Sequence, residues 1–272
     1  MNAPERRPLD VSTLRSGLST PWRQLDVVEE TGSTNADLLA RVAAGDNIAG
    51  SVLLAEFQNA GRGRHGRSWS AAPRSQIAMS VGVGTTGVPA DAWGWLPLLT
   101  GIAVVDALSA TCDVSAGLKW PNDVLVGTGK LAGILAEVAA PTSEIVVGLG
   151  LNVSLSEQEA PDPRATSLTM LGAAEIDRTV LVAGILDALG HRIEQWRAAG
   201  GADNALIQDY RNYSLTIGSE VRASLPGDRA VVGTASAIDT FGRLIIDDGD
   251  TTVMVAAGDI THLRPADGPS DT

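Results

Sequence analysis

The segment Gly61-Arg62-Gly63-Arg64-His65-Gly66-Arg67, followed by Ser68-Trp69, is the most informative part of this 272-residue sequence. It places three glycines and three arginines within seven residues. Such a segment has a flexible backbone and little to bury, so it predicts a wrapping loop rather than a packed element. Its guanidinium groups can pair bidentately with phosphate or carboxylate oxygens. The loop therefore indicates an anionic small ligand, with a nucleotide as the first candidate and a solvated turn as the plain alternative.

The rest of the chain is acidic, which makes the positive charge of this loop a local feature. The formal net charge is −12, with 44% hydrophobic and 19% charged residues, a composition ordinary for a globular protein with a core. The negative charge argues against a nucleic acid or an anionic membrane surface as a partner. The length allows one large domain and a small one.

Cysteine and histidine usage gives no sign of a disulfide or a metal site. Cys112 is the single cysteine and lies in the apolar run 104–114, so we expect a buried, inert thiol. The three histidines are far apart, without metal-ligand spacing. The first residues lack an apolar signal region, and no run of about 18 uncharged apolar residues suggests a membrane span. We expect a cytoplasmic protein.

Apolar periodicity and turn residues predict alternating strands and helices, followed by a small β domain. Strands are predicted at 24–29, 51–57, 77–83, 118–126, 131–138 and 144–151, and helices at 35–44, 93–111, 178–198 and 204–213. After about residue 215, short strand-like runs with turns such as Pro226-Gly227-Asp228 predict an SH3-like barrel. The predicted division is a flexible tail at 1–20, a catalytic domain at 21–214, the SH3-like domain at 215–266 and a flexible tail at 267–272.

Four further segments carry polar residues or glycines that a plain core would not need. They are Ser33-Thr34-Asn35 at a helix start, Lys119-Trp120-Pro121-Asn122-Asp123, Lys130-Leu131-Ala132-Gly133-Ile134-Leu135, and Gly148-Leu149-Gly150-Leu151-Asn152. Proline after Trp120 forces an extended-to-turn geometry that exposes Asn122 and Asp123. Alternate glycines leave one face of a strand without side chains, which opens a slot. Taken singly, each segment also fits a plain role as a cap, a hairpin or a strand under a helix.

The glycines of the loop match Gly-x-Gly-x-x-Gly, the dinucleotide-binding pattern, only formally. No helical pattern opens after Gly66, and residues 80–90 contain no acidic partner for a ribose. Dinucleotide binding is therefore excluded.

The five segments together, in this order, resemble the biotin protein ligases. That family has Ser-Thr-Asn at a helix start, then Gln-x-x-Gly-Arg-Gly-Arg-x-Gly-Arg-x-Trp, Lys-Trp-Pro-Asn-Asp, Lys-Leu-x-Gly-Ile-Leu and Gly-x-Gly-x-Asn. All five are present here, the second running from Gln58 to Trp69. The resemblance covers about residues 24–265 and implies an α/β fold: an α+β mixed-sheet core related to class II aminoacyl-tRNA synthetases, followed by the SH3-like barrel.

The resemblance implies a two-step reaction with biotin and ATP as substrates. Biotin's carboxylate attacks the α-phosphorus of ATP, giving biotinyl-5′-AMP and pyrophosphate, and a carrier lysine then takes the biotinyl group and releases AMP. Mg²⁺ is expected through the ATP phosphates rather than a protein site. The implied partner is the biotin carboxyl carrier protein or domain of an acyl-CoA carboxylase, or of pyruvate carboxylase. Only 32 residues precede Ser33, too few for the DNA-binding domain of repressor-type members, so we expect a monofunctional ligase without operator binding. We also expect a monomer or weak homodimer.

The resemblance also implies residue roles. The catalytic residues are Lys130, Arg62, Asp123 and Arg64. Biotin is held by Ser33, Thr34, Asn35, Gln58, Arg62, Gly63, Arg64, Lys130, Gly133, Gly148 and Gly150. ATP is bound by Arg64, Arg67, Trp69, Lys119, Asn122, Lys130 and Asn152. Lys130 would lie between the biotin carboxylate and the α-phosphate, and Asp123 would accept the proton of the attacking amine, whose ordinary pKa is near 10.4.

Two alternatives stay open. One is a lipoate or octanoate carrier-protein ligase of the same fold, and the other is a non-catalytic biotin sensor that retains the pocket.

Overall fold

A computed structural model describes residues 6–140, 142–173, 176–225, 229–256 and 259–262. The predicted turn at 226–228, the end of the predicted SH3-like domain at 263–266 and the predicted tail at 267–272 lie outside the described residues. The described chain forms a seven-stranded mixed sheet with helices on both faces, then a five-stranded antiparallel sheet. The predicted α/β architecture, a mixed-sheet core followed by a small β domain, is confirmed.

The large sheet contains the strands that carry the sequence motifs. They are β1 (Gln24–Thr31), β2 (Ser51–Gln58), β3 (Gln76–Gly84), β4 (Gly117–Lys119), β5 (Asp123–Val126), β6 (Gly129–Ala139) and β7 (Glu144–Asn152). Their order is β1-β2-β3-β7-β6-β5-β4, with β1 parallel to β2 and the other neighbours antiparallel. Strands β2 and β3 are nearly continuous apolar runs because both of their faces are covered.

The helices cover the two faces of this sheet unequally. They are α1 (Val11–Ser16), α2 (Thr34–Ala43), α3 (Trp95–Cys112), α4 (Arg178–Ala198) and α5 (Asn204–Tyr213). Helices α3 and α4 supply the main core on one face. On the other face, Leu38 and Val42 of α2 pack with Leu53 and Val146 in a smaller cluster. The part of this second face beyond α2 is where the motif residues gather.

The C-terminal region forms the small antiparallel sheet. Its strands are β8 (Glu220–Leu225), β9 (Arg229–Ile238), β10 (Leu244–Asp247), β11 (Thr252–Val255) and β12 (Asp259–His262), in the order β11-β10-β9-β8-β12. Val221, Ala235 and Leu244 are buried between its strands and the larger core. Its classification as an SH3-like barrel stays a prediction.

The prediction of a flexible tail at 1–20 is wrong for residues 6–20, the part that the structure describes. Helix α1 lies there, and both Leu9 and Leu14 are buried. The guanidinium of Arg6 lies 2.6 Å from the carboxylate of Glu159. Hydrogen bonds from Arg6 and, to a smaller extent, from Ser156 lower the pKa of Glu159 to about 2. The segment has too few apolar residues to indicate order locally, and its order comes from contacts with distant parts of the chain.

Several predicted elements differ from the structure by one or two residues at their ends, and one predicted strand is divided. The strand predicted at 118–126 is two strands, β4 and β5, joined by a turn with a cis Trp120–Pro121 peptide bond, because proline has no N–H to continue a ladder. The helix predicted at 93–111 is preceded by a 3₁₀ turn and begins at Trp95. Cys112 at its end is partly buried rather than fully buried.

Within the described ranges, one helical segment, Ala90–Cys112, is long and apolar enough to cross a membrane, which the sequence analysis did not single out. Most of its residues between Trp95 and Leu108 are buried inside the protein. That burial is the environment of a core helix, and it explains the high apolar content without a membrane.

Candidate active site

A buried network of neutral polar side chains connects the start of α2 to β2 and β3. The backbone N and Oγ1 of Thr34 both donate to Oε1 of Gln58, at 2.8 and 3.0 Å. The Oγ of Ser80 lies 2.6 Å from Oγ1 of Thr34 and donates to Oδ1 of Asn35 at 2.6 Å. Ser33 is the N-cap of α2. We call Thr34, Asn35, Gln58 and Ser80 the neutral end of the site.

Glu137 joins this network to the Arg/Gly loop. Its Oε2 accepts from Nδ2 of Asn35 at 2.8 Å and from Nη2 of Arg62 at 3.1 Å. The same Asn35 amide also donates to the carbonyl of Leu135 at 3.2 Å. Glu137 thereby fixes both the amide of Asn35 and the first arginine of the loop.

The Arg/Gly loop is closed on itself by backbone hydrogen bonds. Trp69 N donates to the carbonyl of Gly61 at 2.8 Å, and Gly63 N donates to that of Arg67 at 2.7 Å. Gly66 has a φ of 72°, in the left-handed region that glycine adopts without strain. The loop therefore forms a defined turn over the sheet, and this turn carries the predicted arginines.

The turn between β4 and β5 presents the predicted Asn122 and Asp123 to the loop and to β6. The Asn122 side chain donates to the carbonyl of Ile134 at 3.0 Å, and its backbone carbonyl accepts from Ile134 N at 2.9 Å. Because Nδ2 of Asn122 is engaged by Ile134, its Oδ1 is the side-chain atom that accepts from Nη1 of Arg64, at 3.2 Å. Oδ1 of Asp123 lies 2.7 Å from Nζ of Lys130. We call Arg64, Asn122, Asp123 and Lys130 the charged end.

The ammonium of Lys130 lies between this carboxylate and an indole ring. Its Nζ is 5.6 Å from the ring centroid of Trp69, within cation–π range. A Cβ added at Gly133 would lie 3.1 Å from the Trp69 ring and 3.4 Å from that Nζ, so a side chain there would crowd the ring and touch the ammonium. The indole N–H of Trp69 donates to Oε1 of Gln76 at 2.6 Å, which fixes the plane of the ring.

The alternate glycines of β7 are predicted from the sequence to leave an open slot, but in the structure other side chains of the protein fill this space. A side chain at Gly148 would collide with the amide of Asn35, and one at Gly150 would collide with the indole of Trp69. The missing side chains therefore make room for protein groups. A role for these glycines in lining biotin, through Asn35 and Trp69, stays a prediction.

Lys119 and Asn152 lie at the margins of the site. Nδ2 of Asn152 donates to the carbonyl of Thr166 at 2.9 Å in a buried position. Lys119 pairs with Asp123 in the register of β4 and β5. Burial lowers the pKa of His262 in β12, and the positive charge of Lys119 adds to this effect. Their assignment to ATP binding stays a prediction.

The structure brings most of the predicted residues into one contiguous group: Ser33, Thr34, Asn35, Gln58, Arg62, Gly63, Arg64, Trp69, Asn122, Asp123, Lys130, Gly133, Gly148 and Gly150. Gln76, Ser80 and Glu137 also belong to this group, although none of them is among the residues predicted from the sequence. A signal for them existed: Gln76 and Ser80 are polar residues on one face of a strand that is otherwise apolar. Glu137 lies four residues after Gly133 in β6 and therefore on the same face of the strand.

Among the described residues, no group of three or more His, Cys, Asp or Glu side chains is arranged to hold a metal ion. The charged end offers one carboxylate, already paired with an ammonium, which is a poor metal cage.

Two family models match the chain. The biotin/lipoate A/B protein ligase family matches residues 28–152, and the biotin protein ligase C-terminal domain matches residues 216–263. Over 265 residues the chain is 55% identical to the biotin–[acetyl-CoA-carboxylase] ligase of Mycobacterium tuberculosis, covering 95% of this chain and 97% of that one. It is 29% identical to the bifunctional ligase/repressor BirA of Bacillus spizizenii over 93% of this chain and 78% of that one.

Solved structures agree at the level of the fold. The biotin protein ligase from Aquifex aeolicus in complex with biotin and ATP superposes with a TM-score of 0.76 and 23% identity, over 90% of this chain and all of that one. The ligase from Leishmania major in complex with biotinyl-5-AMP gives a TM-score of 0.61 at 22% identity, over 91% of this chain.

Proposed function

Because the chain belongs to the biotin protein ligase family, we propose that it is an ATP-dependent ligase that attaches biotin to one lysine of a carrier protein. The observation within the site that supports this best is the position of Lys130. Its ammonium lies above Gly133, between the Asp123 carboxylate and the Trp69 ring. A fixed cation beside an aromatic face suits the junction of a carboxylate and a nucleotide phosphate.

In the first step a biotin carboxylate oxygen forms a bond to the α-phosphorus of ATP. The bond from that phosphorus to the bridging oxygen breaks, and pyrophosphate leaves with the electron pair. The nucleophile is already an anion, so the site must neutralise charge and align the two anions rather than remove a proton. Lys130 supplies a positive charge at the junction, and Arg62, Arg64 and Arg67 supply it from the loop. The Mg²⁺ of MgATP belongs to the nucleotide.

In the second step the carrier's ε-amine attacks the carbonyl carbon of biotinyl-5′-AMP. A C–N bond forms, and the C–O bond to the phosphate of AMP breaks. The amine must lose a proton, and its ordinary pKa is about 10.4, so a nearby base accelerates the step. Asp123 is our candidate for that base because of its location. Its carboxylate lies 2.7 Å from Lys130, the residue proposed to mark the junction where the groups react.

The neutral end is our candidate for the site that holds the uncharged ring system of biotin. Thr34, Asn35, Gln58 and Ser80 are at most 9% exposed, and their hydroxyl and amide groups are fixed by one another, while the Ser33 hydroxyl caps α2. Preorganised neutral donors and acceptors in a dry environment can discriminate strongly between a urea-like ring and an apolar chain. This is the feature that favours biotin over lipoate or octanoate.

The carrier is proposed to be the biotin carboxyl carrier domain of acetyl-CoA carboxylase, the enzyme in the name of the relative that is 55% identical. The corresponding domain of pyruvate carboxylase is proposed as a second substrate. A cytoplasmic location and a monomer or weak homodimer complete the proposal. The net charge of −12 supports the absence of a nucleic-acid partner.

A competition experiment tests the choice of acyl substrate. The protein is incubated with MgATP and an equimolar mixture of labelled biotin, lipoate and octanoate, without carrier, and the acyl-AMP products are separated. We expect biotinyl-5′-AMP to dominate. Mostly lipoyl- or octanoyl-AMP would contradict the proposal in favour of the lipoate-type ligase. Tight biotin binding without any acyl-AMP would contradict it in favour of the sensor.

A further inference from the structure

Two buried indole groups of the catalytic core donate hydrogen bonds to one turn of the C-terminal sheet. Nε1 of Trp120 donates to the carbonyl of Gly242 at 3.0 Å, and Nε1 of Trp95 donates to that of Asp239 at 3.1 Å. Both indoles are at most 2% exposed. We call residues 239–243, which join β9 to β10, the docking turn.

Hydrogen bonds of the Asp239 side chain hold the docking turn together. Oδ1 of Asp239 accepts from the backbone N atoms of Phe241 and Arg243, both at 2.9 Å, and its Oδ2 accepts from Nε of Arg243 at 2.6 Å. Gly242 has a φ of 79°, and a Cβ there would lie 2.9 Å from the backbone of Gly94, just before α3. Backbone meets backbone at this point, so a residue larger than glycine would push the turn away from the core.

The main chain of Trp120 is held from the same side. Its N–H donates at 3.1 Å to Oγ1 of Thr216, a fully buried residue between α5 and β8. That hydroxyl is also 3.0 Å from Nε2 of His262 in β12. Trp120 is therefore fixed at its backbone by the start of the C-terminal region and at its ring by the docking turn.

Trp120 belongs to the motif that forms the charged end. Only Pro121 separates it from Asn122 and Asp123, which contact Arg64 and Lys130 respectively. A displacement of Trp120 passes directly to these two side chains, because the short turn between β4 and β5 has no other element to absorb it.

We propose that Trp120 and Thr216 are positioning residues, through which the C-terminal sheet sets the placement of Asn122 and Asp123 for catalysis. The inference rests on the proposed function, which gives Asn122 and Asp123 their roles in catalysis. Trp95 serves as the internal reference, because it makes the same kind of bond to the same turn and takes no part in the motif.

The first test compares Trp120→Phe with Trp95→Phe. Each variant keeps an aromatic ring and loses one indole N–H bond to the docking turn. We expect similar small losses in melting temperature, while transfer from preformed biotinyl-5′-AMP to the carrier slows about tenfold in Trp120→Phe alone, since small misplacements at reacting groups are costly. Equal transfer rates in the two variants would overturn the proposal.

A second pair separates the hydroxyl from folding effects. Thr216→Ser keeps the hydroxyl that accepts from the Trp120 N–H. Thr216→Val keeps the shape of the side chain but removes this acceptor. We expect near wild-type transfer for the serine variant and a rate several-fold lower for the valine variant. Indistinguishable rates for serine and valine would overturn the role of Thr216.

Hydrogen–deuterium exchange of the amides at 122–126 gives a readout that needs no activity. We expect faster exchange there in Trp120→Phe than in Trp95→Phe, and unchanged exchange would overturn the proposal. If the wild-type protein forms no biotinyl-5′-AMP, the proposed function fails, whereas the exchange comparison still decides whether the C-terminal sheet positions this turn.

Discussion

The neutral end and the charged end of the site lie side by side on one sheet, yet they are held in opposite ways. Thr34, Asn35 and Ser80 are at most 4% exposed and bond to one another through hydroxyl and amide groups. At the charged end the side chain of Lys130 is 36% exposed and that of Asp123 is 21% exposed, and they form an ion pair.

This difference indicates a division of work. A buried network of neutral groups is expensive to rearrange, because any unpaired member costs about 1–3 kcal/mol, so it suits recognition of a ligand that does not change. A partly exposed ion pair contributes only about 1 kcal/mol or less and can exchange partners. It therefore suits groups whose charges change during the reaction. Variants at the two ends should therefore separate binding from chemistry.

The largest effect is expected for Lys130→Ala. Removal of the cation at the junction should slow adenylation about 100- to 1,000-fold, the usual effect of losing one electrostatic donor. Biotin affinity should change little, because the neutral end is intact. Rapid-quench measurement of biotinyl-5′-AMP, with calorimetric titration of biotin, gives both quantities. Arg23→Ala is the control, since Arg23 is an exposed cation just before β1 that bonds to Asn47 and to the carbonyl of Ala49, away from the charged end. Unchanged pyrophosphate release in Lys130→Ala would contradict the assignment.

Asp123→Asn should act mainly on the second step. The amide keeps the shape of the side chain and loses the base, so transfer to the carrier should slow about 100-fold while adenylation changes several-fold at most. Transfer from isolated biotinyl-5′-AMP, followed across a range of pH, measures it. As the pH approaches the pKa of the amine, the defect should shrink. Equal losses in both steps would show a structural role instead.

Ser80→Ala tests the neutral end. Loss of the hydroxyl leaves Thr34 and Asn35 each short of a partner, so biotin should bind about tenfold more weakly, the effect of one lost hydrogen bond. The adenylation rate at saturating biotin should be close to that of the wild type. Thr100→Val, which removes an equally buried hydroxyl in α3, should leave biotin affinity unchanged. A matching loss of affinity in both variants would mean that Ser80 acts through stability alone.

Arg64→Gly tests whether the loop retains the intermediate. The bond from Arg64 to Asn122 closes the loop over the charged end, so its loss should release biotinyl-5′-AMP several-fold faster and label bystander lysines. Mass spectrometry of an added unrelated protein detects the label. Arg74→Gly, at an exposed arginine paired with Glu29, is the control. If Arg64→Gly labels no more bystander protein than this control, the loop is not the gate.

The smallest effect concerns an ion pair far from both ends. Arg6, with smaller contributions from Ser156, lowers the pKa of Glu159 from 4.5 to about 2, so the pair should stabilise the fold above pH 4.5 and lose its contribution as the pH falls toward 2. Arg6→Ala should cost roughly 1–2 kcal/mol at pH 7 because the pair is only partly screened by solvent. Urea unfolding from pH 2 to 7 measures this. A difference from the wild type that persists unchanged at pH 2 would contradict it.

Local patterns in the sequence were sufficient for the strands that carry the site. The apolar runs of β2 and β3 and the order of the five motifs led to the large sheet and to most of the site residues. Glu137, Ser80 and Gln76 were missed because their role depends on which neighbour lies opposite them, which alternation alone does not specify. The glycines at 148 and 150 were correctly read as missing side chains, but only the fold shows that Asn35 and Trp69 fill the space.

Features that depend on contacts distant in sequence were beyond local reasoning. Helix α1 is short, and Leu9 and Leu14 gain their burial from elements far along the chain. The two indole bonds to the docking turn join residues more than 100 positions apart. No periodicity within either segment indicates such a partner.

The division of work between the two ends is tested most directly by a double-mutant cycle with Ser80→Ala and Lys130→Ala. Biotin affinity and the single-turnover rate of adenylation are measured for the wild type, each single variant and the double variant. The account predicts that Ser80→Ala changes affinity alone, that Lys130→Ala changes the rate alone, and that the effects add within about 0.5 kcal/mol. A coupling energy well above that value, or a Lys130→Ala variant whose main defect is in biotin affinity, would contradict it.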